Sequence, residues 1–573
     1  MTRDESGNVG NVASVSQLYD HAVKVSGDTT LTLDARDADR ISWDTDKPSR
    51  ASGFSMGVAV GLDDSRQLKA GYLASIPSYT KAVYAQRVDD ADDLTFLASA
   101  RQTAPGAVLT SGGGRTLDTL PVQKATEFDG KGSAQVVPIG KGSDADFAAA
   151  DLKGRIALVD AGTGGGNGYT WAAAKAGAEG VLAAVPDTKG RFQMTGQEGV
   201  PQATITWDDS LALKAEAAHG PATVSWSGTA TANSPYVYNL ATISRGSIRP
   251  GVRRVHDRDL ARADARYHVQ SAGDTTYWSD VQVGIPGVAS VWAGGTTLPL
   301  RAPQQRTEFF TPSGDDGPTW TTLMRRDLSP YSSTAYDGPH AVGKGHTTTQ
   351  WYKSPYGPVR NTYAAPLMTR DSNRLTYVVA PFGDAGGHDN TLARTDYGTR
   401  QLLVNGAPQP PTSGIFTLPQ EKAEVTFRQN WRRPASAMDR VGLAYATEWT
   451  FSSSAATQGA QRLLVPVLDV PSDLRNARPT GEATAIGLRA VVDGTNGAVT
   501  LDDARLEYAY GTATTTDAIT DWHTASMTRS HGTWRATLPG TTPSGTFVHL
   551  RVTLADGHGA KVSQTMVRAY EVL

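Results

Sequence analysis

The 573-residue sequence contains no cysteine. Disulfide bonds, thiol nucleophiles and thiolate-bound metal sites are therefore excluded. The sequence also lacks any apolar run of about 18 residues or more, which a membrane-spanning helix needs. Residues 1–8 have no apolar core of the kind that a signal peptide carries, so we expect no signal peptide in this chain.

The sequence also lacks a strong charge of either sign. The formal net charge is −3, and the chain has neither a basic block nor an acidic tail. These features give no reason to expect nucleic acid or an anionic membrane as a partner. The absence of cysteine suits a cytosolic protein, and it equally suits secreted proteins of bacteria that avoid cysteine. Composition therefore leaves the compartment open.

Most of the chain consists of short runs in which apolar and polar residues alternate between turn residues. Phe54, Met56 and Val58 alternate with small residues over 54–62, which is the period of two of a half-buried strand. Turn sequences such as Asn405-Gly406 recur as far as the end of the chain. A chain of this length is too long to fold around a single hydrophobic core. We therefore predict a mainly β fold, with several antiparallel β-sandwich modules and one α/β domain inserted.

Residues 151–219 provide that α/β domain. The apolar runs at 156–159 and 180–185 predict two strands, and the alanine-rich segment at 169–176 predicts a helix that stops at Gly177. A strand–helix–strand unit packs as a right-handed parallel crossover. A further strand is expected at 200–205, and a second helix from Leu211.

These residues resemble the protease-associated (PA) domain, and the resemblance covers roughly 116–228. It rests on Lys-Gly-Arg-Ile-Ala-Leu-Val at 153–159, Ala-Ala-Lys-Ala-Gly-Ala-Glu-Gly-Val at 173–181 and Val-Pro-Gln-Ala-Thr-Ile at 200–205, in that order. Two details depart from the common pattern. Ala161-Gly162 stands where Arg-Gly is usual, and no cysteine is present.

The end of the chain, at 546–552 and 564–570, resembles the terminal hairpin of large secreted subtilisin-like serine peptidases of actinobacteria. Segments 27–36, 260–268 and 448–451 resemble the same C-terminal regions. In that family a catalytic domain precedes these regions. The resemblance implies a secreted, non-catalytic region that modulates substrate access, attachment or stability. Its implied partner is a polypeptide substrate or a peptidase catalytic domain.

Five domains are predicted from these resemblances and from the positions of turn-rich segments. They are an N-terminally incomplete β-sandwich-like module at 1–115, the PA domain at 116–230, a β-rich module at 231–345, a β-sandwich module at 346–470, and an Ig-like or fibronectin-like β-sandwich at 471–573. The PA domain is either inserted into a β-sandwich or placed between two of them.

Two short motif matches are not expected to be catalytic. Residues 53–57 match Gly-x-Ser-x-Gly, but that motif needs a helix directly after the serine, and the strand pattern runs straight through Ser55. His531-Gly532-Thr533 matches the catalytic-histidine tripeptide of subtilisins, yet a strand pattern follows it instead of a helix. We therefore predict no catalytic residue, and no enzymatic activity of the chain on its own.

No cofactor or metal site is predicted either. The glycine-rich loop at 162–168 imitates a dinucleotide fingerprint together with Asp187, but Asn167 stands at the third glycine position. His340 and His346 are the two histidines that lie closest together in the sequence, and no motif places an acidic third ligand near them. The turn at 493–497 misses the spacing of a calcium loop.

The tryptophans leave an alternative function open. Trp278, Trp292, Trp351 and Trp431 either fill cores or provide a platform on which a sugar stacks. The alternative is thus an extracellular carbohydrate- or cell-surface-binding β-sandwich protein, with a cell-surface polysaccharide as partner. A third possibility, an α/β-hydrolase that uses Ser55, needs a helix that the sequence does not predict.

Overall fold

A computed structural model describes residues 14–573 except 21–22, 24, 62–69, 163–168, 187–193, 287–292, 328, 360–365, 379–380, 493–498, 531–532 and 541–542. Strands dominate the described residues, and most of the pairings between them are antiparallel. The predicted mainly β fold class is therefore confirmed. None of the helices among these residues is long and apolar enough to cross a membrane.

Among the described residues, those up to Trp351 contain the α-helices and 22 strands. Before the α/β unit lie β1 (Ser14–Gln17), β2 (Ala38–Thr45), β3 (Arg50–Val60), β4 (Ala70–Ile76), β5 (Ala82–Gln86) and β6 (Leu94–Thr103). The unit itself contains β7 (Val108–Ser111), β8 (Thr119–Pro121), β9 (Gly130–Pro138), α1 (Asp144–Ala149), β10 (Ile156–Asp160), α2 (Tyr169–Lys175), β11 (Gly180–Ala184), β12 (Gln202–Ile205), α3 (Trp207–His219) and β13 (Thr223–Gly228). After it come β14 (Tyr236–Arg245), β15 (Gly251–Val255), β16 (Ala261–Tyr267), β17 (Thr275–Gly284), β18 (Ala293–Ala302), β19 (Gln304–Phe310), β20 (Thr319–Arg326), β21 (Ser333–Ala341) and β22 (His346–Trp351).

The second half is built from short and long strands. They are β23 (Met368–Asp371), β24 (Arg374–Tyr377), β25 (Asp389–Asn390), β26 (Tyr397–Val404), β27 (Ala407–Gln409), β28 (Phe416–Thr417), β29 (Ala423–Arg432), β30 (Ala444–Ser453), β31 (Gly459–Ala460), β32 (Leu464–Asp469), β33 (Ala477–Arg478), β34 (Thr484–Val492), β35 (Leu501–Gly511), β36 (His523–Thr524), β37 (Ser526–Ser530), β38 (Thr533–Leu538), β39 (Thr546–Asp556) and β40 (Lys561–Val572).

A seven-stranded sheet, ordered β22-β16-β19-β14-β6-β3-β4, is the central layer of the N-terminal half. One of its faces packs on the sheet β1-β5-β2-β15, through residues such as Phe96 and Ile41. The other face packs on the sheet β18-β17-β20-β21-β25, through residues such as Leu97 and Val281. The central sheet is therefore buried on both faces.

Strand β3 shows how this layering departs from the sequence expectation of a half-buried strand. Phe54, Met56 and Val58 face one core, but the small residues between them are covered as well. A Cβ at Gly53 would collide with the side-chain methyl group of Thr296 on β18. The small residues therefore admit a second sheet at close range instead of facing solvent.

The α/β unit is inserted between two neighbouring strands of the central sheet. Strands β6 and β14 lie on either side of it in the sequence and pair antiparallel. Within the unit the sheet order is β7-β13-β9-β10-β11-β12-β8, and β9 to β12 run parallel. The predicted strand–helix–strand is confirmed as β10, α2 and β11, and Gly177 ends α2 with a φ of 72°. Of the two arrangements left open, insertion is the one observed.

In the C-terminal half a large sheet faces two smaller ones. Its order is β27-β26-β29-β30-β40-β39-β35-β36, with β33 also pairing with β40. The smaller sheets are β28-β24-β23-β31 and β32-β34-β38-β37, and all three contribute to one core. The terminal hairpin expected from the sequence is present as β39 and β40.

The predicted domain boundaries at 345 and 470 fall inside shared sheets. Strand β22 pairs with β16 across the first boundary, and β30 pairs with β40 across the second. Segments 1–115 and 231–345 also share the central sheet, through β6 and β14. Local turn signals mark where the chain reverses, whereas hydrogen-bond partners distant in sequence decide which strands form one sheet.

Arg101 on β6 joins the layers of the N-terminal half. Its Nε donates to Asn239 Oδ1 on β14 over 2.9 Å. Its Nη1 donates to Ser279 O on β17 over 2.6 Å and to Thr296 O on β18 over 2.9 Å. The side chain is buried. Burial lowers the pKa of Arg101 to about 10, so the guanidinium stays charged at neutral pH.

Arg101→Ala should lower the free energy of unfolding by about 3 kcal/mol, because it leaves several buried acceptors without donors and opens a cavity. Urea unfolding monitored by tryptophan fluorescence measures this loss. Arg40→Ala, at an exposed position on β2, is the control and should change stability by less than about 0.5 kcal/mol. Equal effects of the two variants would contradict the role given to Arg101.

Candidate functional site

Ser55 lies in the middle of β3, as the alternation predicted, and its side chain is only 1% exposed. Its Oγ lies 3.4 Å from the carbonyl oxygen of Gly295, which cannot act as a general base. A regular strand continues on both sides of the serine, so the strand-to-helix turn of a nucleophile elbow is not formed.

The histidines named in the sequence analysis do not converge on one point. His340 Nδ1 lies 3.5 Å from Asp337, whereas His346 Nε2 lies 2.9 Å from Asp264. Across the described part of the chain, no group of three or more histidine and acidic side chains is arranged to hold a metal ion. His531-Gly532, Asp187, Trp292, the loop 163–168 and the turn 493–497 lie outside the described residues.

The tryptophans separate into two groups. Trp351 and Trp431 are buried, and Trp351 stacks on the ring of His388 with 3.7 Å between ring centroids. Trp278 is only half-buried and lines a cleft between the α/β unit and the sheet of β17 and β18. A second tryptophan, Trp226 on β13, lines the same cleft.

We name this the acidic cleft, and its volume is about 470 Å³. Five carboxylates line it against two cationic side chains, Lys124 and Arg301. The carboxylates belong to Glu127, Asp129, Glu179, Glu198 and Asp274. The cleft is therefore a concave surface with an excess of negative charge, which attracts and concentrates cations.

Two of these carboxylates hold the end of the α/β unit in place. Glu127 accepts hydrogen bonds from Thr231 N and Oγ1, both over 3.1 Å, and pairs with Arg50. Asp129 accepts from Ala230 N over 2.7 Å and from Asn233 Nδ2 over 2.7 Å. Residues 230–233 connect the unit to β14, so these bonds fix the cleft at its base.

The aromatic wall depends on a glycine. Phe128 lies beside Trp226, with 5.3 Å between ring centroids, and Trp226 Nε1 donates to Asp129 O over 3.2 Å. A Cβ at Gly180 would meet the Phe128 ring at 2.7 Å. Only glycine lets the start of β11 lie this close to the ring.

The opposite wall is one face of the β17–β18 hairpin. Trp278 pairs with Pro299, and Thr276 pairs with Arg301. Alternate strand residues share a face, so these four side chains point the same way. At the edge, Asp274 accepts a hydrogen bond of 2.6 Å from Arg475, which holds the pKa of Asp274 below its usual range.

The remaining carboxylates, on Glu179 and Glu198, are exposed. Neither forms a hydrogen bond or an ion pair with another described residue through its side chain. On the same unit, Trp171 on α2 is 71% exposed, and its Nε1 donates over 2.6 Å to Oε1 of Gln197, which precedes Glu198 in the sequence. Two carboxylates that pair with no other described residue thus line the cleft.

Comparisons with known proteins return weak, partial structural likenesses. An aminopeptidase from Aneurinibacillus sp. strain AM-1 is 22% identical to this chain, with a TM-score of 0.19. A zinc aminopeptidase from Bacillus subtilis is 20% identical, with a TM-score of 0.20. Each of these two matches covers 26% of this chain and 35% of the other chain. A peptidase M28 precursor from Shewanella amazonensis SB2B is 15% identical with a TM-score of 0.19, over 31% of this chain and 42% of the other. Likeness at this level assigns neither fold nor activity. No family profile and no curated protein matches the chain in sequence.

Carboxylates and two tryptophans line the acidic cleft, and no serine or histidine is among its lining residues. Acyl transfer by serine needs a hydroxyl hydrogen-bonded to a base and donors aimed at the oxyanion. None of the cleft residues named here forms a serine–histidine pair. Carboxylates and tryptophans instead bind cationic groups, by charge and by cation–π contact.

We predict that the purified chain does not hydrolyse casein, a chromogenic peptide or a short-chain ester. Ser55 is buried and has no base beside it, so its hydroxyl is a weak nucleophile. Ser55→Ala is the matched control, and it should leave any background rate unchanged. Activity that co-purifies with the chain and disappears in Ser55→Ala would overturn this prediction.

Proposed function

We propose that this chain is a non-catalytic accessory region of a secreted subtilisin-like serine peptidase, in which the α/β unit is a PA domain that recognises polypeptide. The single observation that carries the binding role is the acidic cleft, in which Glu179 and Glu198 pair with no other described residue. The link to a peptidase, and with it secretion, rests on the sequence resemblances of residues 116–228 and of the terminal hairpin.

Charge selects the kind of polypeptide that this cleft binds. Five carboxylates against two cationic side chains favour segments that carry lysine or arginine. Trp226 and Trp278 offer apolar and π surfaces to the stems and heads of such side chains. The cleft is about 470 Å³ in volume, which suits a short extended segment rather than a folded domain.

The position of the unit supports a role in substrate access. It is inserted through two paired strands, β6 and β14, and so it is held at both ends. On the unit, Trp171 and Gln197 are exposed and hydrogen-bonded to each other. Attachment at both ends and exposed side chains suit a surface that presents a segment to a neighbouring catalytic domain.

A second candidate function is the binding of a cell-surface polysaccharide, and the observation that favours it is the presence of two tryptophans in one cleft. Aromatic faces stack on sugar rings, and carboxylates accept hydrogen bonds from sugar hydroxyls. A neutral polysaccharide carries no cation, so salt should not weaken its binding. Salt should weaken the binding of a cationic polypeptide, and this difference distinguishes the two functions.

Glu179→Gln/Glu198→Gln should weaken binding of an unstructured lysine-rich peptide with an amidated C-terminus by roughly two- to tenfold, because exposed ion pairs contribute modestly. Fluorescence anisotropy of the labelled peptide measures this change. Raising the salt concentration should weaken wild-type binding in the same direction.

The matched control is Glu421→Gln/Glu424→Gln, which removes the same charge from exposed positions outside the acidic cleft. It should leave the affinity within about twofold of wild type. Equal losses of affinity in both double variants would show that binding depends on net charge and not on the acidic cleft. Salt-independent binding of a neutral polysaccharide, in the absence of peptide binding, would favour the second candidate.

A further inference from the structure

A second cleft lies in the C-terminal half, between the sheet of β32 and β34 and the strand β40. It consists of two adjoining chambers of about 490 Å³ and about 710 Å³. The turn at 385–387, Val467 and Arg489 line both chambers. We name this the C-terminal cleft. None of the residues that line the acidic cleft takes part in it.

One wall of the C-terminal cleft changes from apolar to charged along the strands. Val465 pairs with Val491, Val467 with Arg489, and Asp469 with Gly487. Because alternate residues share a face, the five side chains of this set face the cleft, and Gly487 has none, while Leu464 and Leu488 pack into the core on the other side. The valines line the smaller chamber and Asp469 lines the larger one. Arg489 therefore marks the junction between an apolar and a polar chamber.

The guanidinium of Arg489 is available to a ligand. Its side chain is exposed, and it forms no ion pair with another described residue. Three carboxylates line the two chambers, and each lies near a basic side chain. Lys353 Nζ lies 2.7 Å from Asp469 Oδ1, and His388 Nδ1 lies 3.0 Å from Asp384 Oδ1. His340 Nδ1 lies 3.5 Å from Asp337 Oδ1 and 2.9 Å from the carbonyl oxygen of Gly338. A guanidinium matches the planar geometry of a carboxylate and binds it through two parallel hydrogen bonds.

Gln564, which lines the smaller chamber, has a buried polar atom with no hydrogen-bond partner among the described residues. Gln564 on β40 is only 3% exposed, and its Oε1 accepts no hydrogen bond from any described residue. Around it the chamber is mostly apolar, lined by Val465, Val491, Met566 and three prolines, although Asp337 and Asp384 also line it. A buried acceptor without a donor is unfavourable, and a ligand that donates an N–H would remove that cost.

We propose that the C-terminal cleft binds the carboxyl end of a polypeptide whose last residue is apolar. Arg489 binds the terminal carboxylate, the final side chain fills the chamber around Val465 and Met566, and Gln564 Oε1 accepts a backbone N–H of the ligand. The preceding residues extend into the larger, polar chamber. A fatty acid would supply the carboxylate and the apolar body, but it has no N–H for Gln564.

The test is calorimetric titration of the full chain with acetyl-Gly-Gly-Leu, with its C-terminal amide and with decanoate. The free acid should bind, and the amide should bind about tenfold more weakly, because it loses the charge-assisted bonds to Arg489. Decanoate should bind more weakly than the tripeptide acid.

Arg489→Gln should weaken binding of the tripeptide acid by about tenfold and remove the difference between acid and amide. Gln564→Leu should weaken both peptides and leave decanoate unaffected. Arg374→Gln is the control, since the Arg374 side chain is exposed, forms no ion pair with another described residue and lies outside the cleft. Thermal melting of each variant checks that it folds.

Three results would overturn the proposal. They are equal binding of acid and amide by the wild type, an unchanged affinity in a folded Arg489→Gln variant, and binding of decanoate in preference to the peptide. Glu179→Gln/Glu198→Gln should bind the tripeptide normally, so failure at one cleft is distinguishable from failure at the other.

Discussion

The hydrogen bonds of Arg101 are the constraint on which the N-terminal half depends. This one side chain links the strand before the α/β unit to the strand after it, through Asn239. It also links the central sheet to Ser279 and Thr296 on the next layer. The two walls of the acidic cleft belong to these linked parts, since one is the inserted unit and the other is the β17–β18 hairpin. The buried guanidinium of Arg101, bonded to neutral acceptors on three strands, thus holds the two walls of the acidic cleft in position without lining the cleft itself.

Much of the α/β unit could be predicted from the sequence, because its signals are local. The alanine-rich stretch forms α2, and Gly177 ends it in the left-handed conformation. Helix α3 begins at Trp207 rather than at Leu211, because Thr206 caps it by accepting a hydrogen bond from Asp209 N. Helix α1 was not predicted, although the Ser143 and Asp146 capping box was a signal that could have revealed it.

The layering and the candidate site could not be predicted in the same way. The alternation in β3 predicts that one face of the strand is buried. Only the close approach of β18 shows that the small residues of β3 are covered too. The acidic cleft collects residues from the α/β unit and from β17 and β18, more than a hundred positions apart between Lys124 and Arg301. None of its carboxylates stands in a motif. Trp278 was named from the sequence, but only the fold shows that Trp226 lines the same cleft.

Hydrogen–deuterium exchange with and without an unfolded lysine-rich polypeptide, amidated at its C-terminus, tests polypeptide recognition at the acidic cleft most directly. We expect slower exchange at 124–129, 198–201 and 274–278, which contribute to the cleft walls. We expect unchanged exchange at 465–469 and 487–491, which contribute to the other cleft. Unchanged exchange throughout the α/β unit, with or without slowing elsewhere, would contradict polypeptide recognition at the acidic cleft.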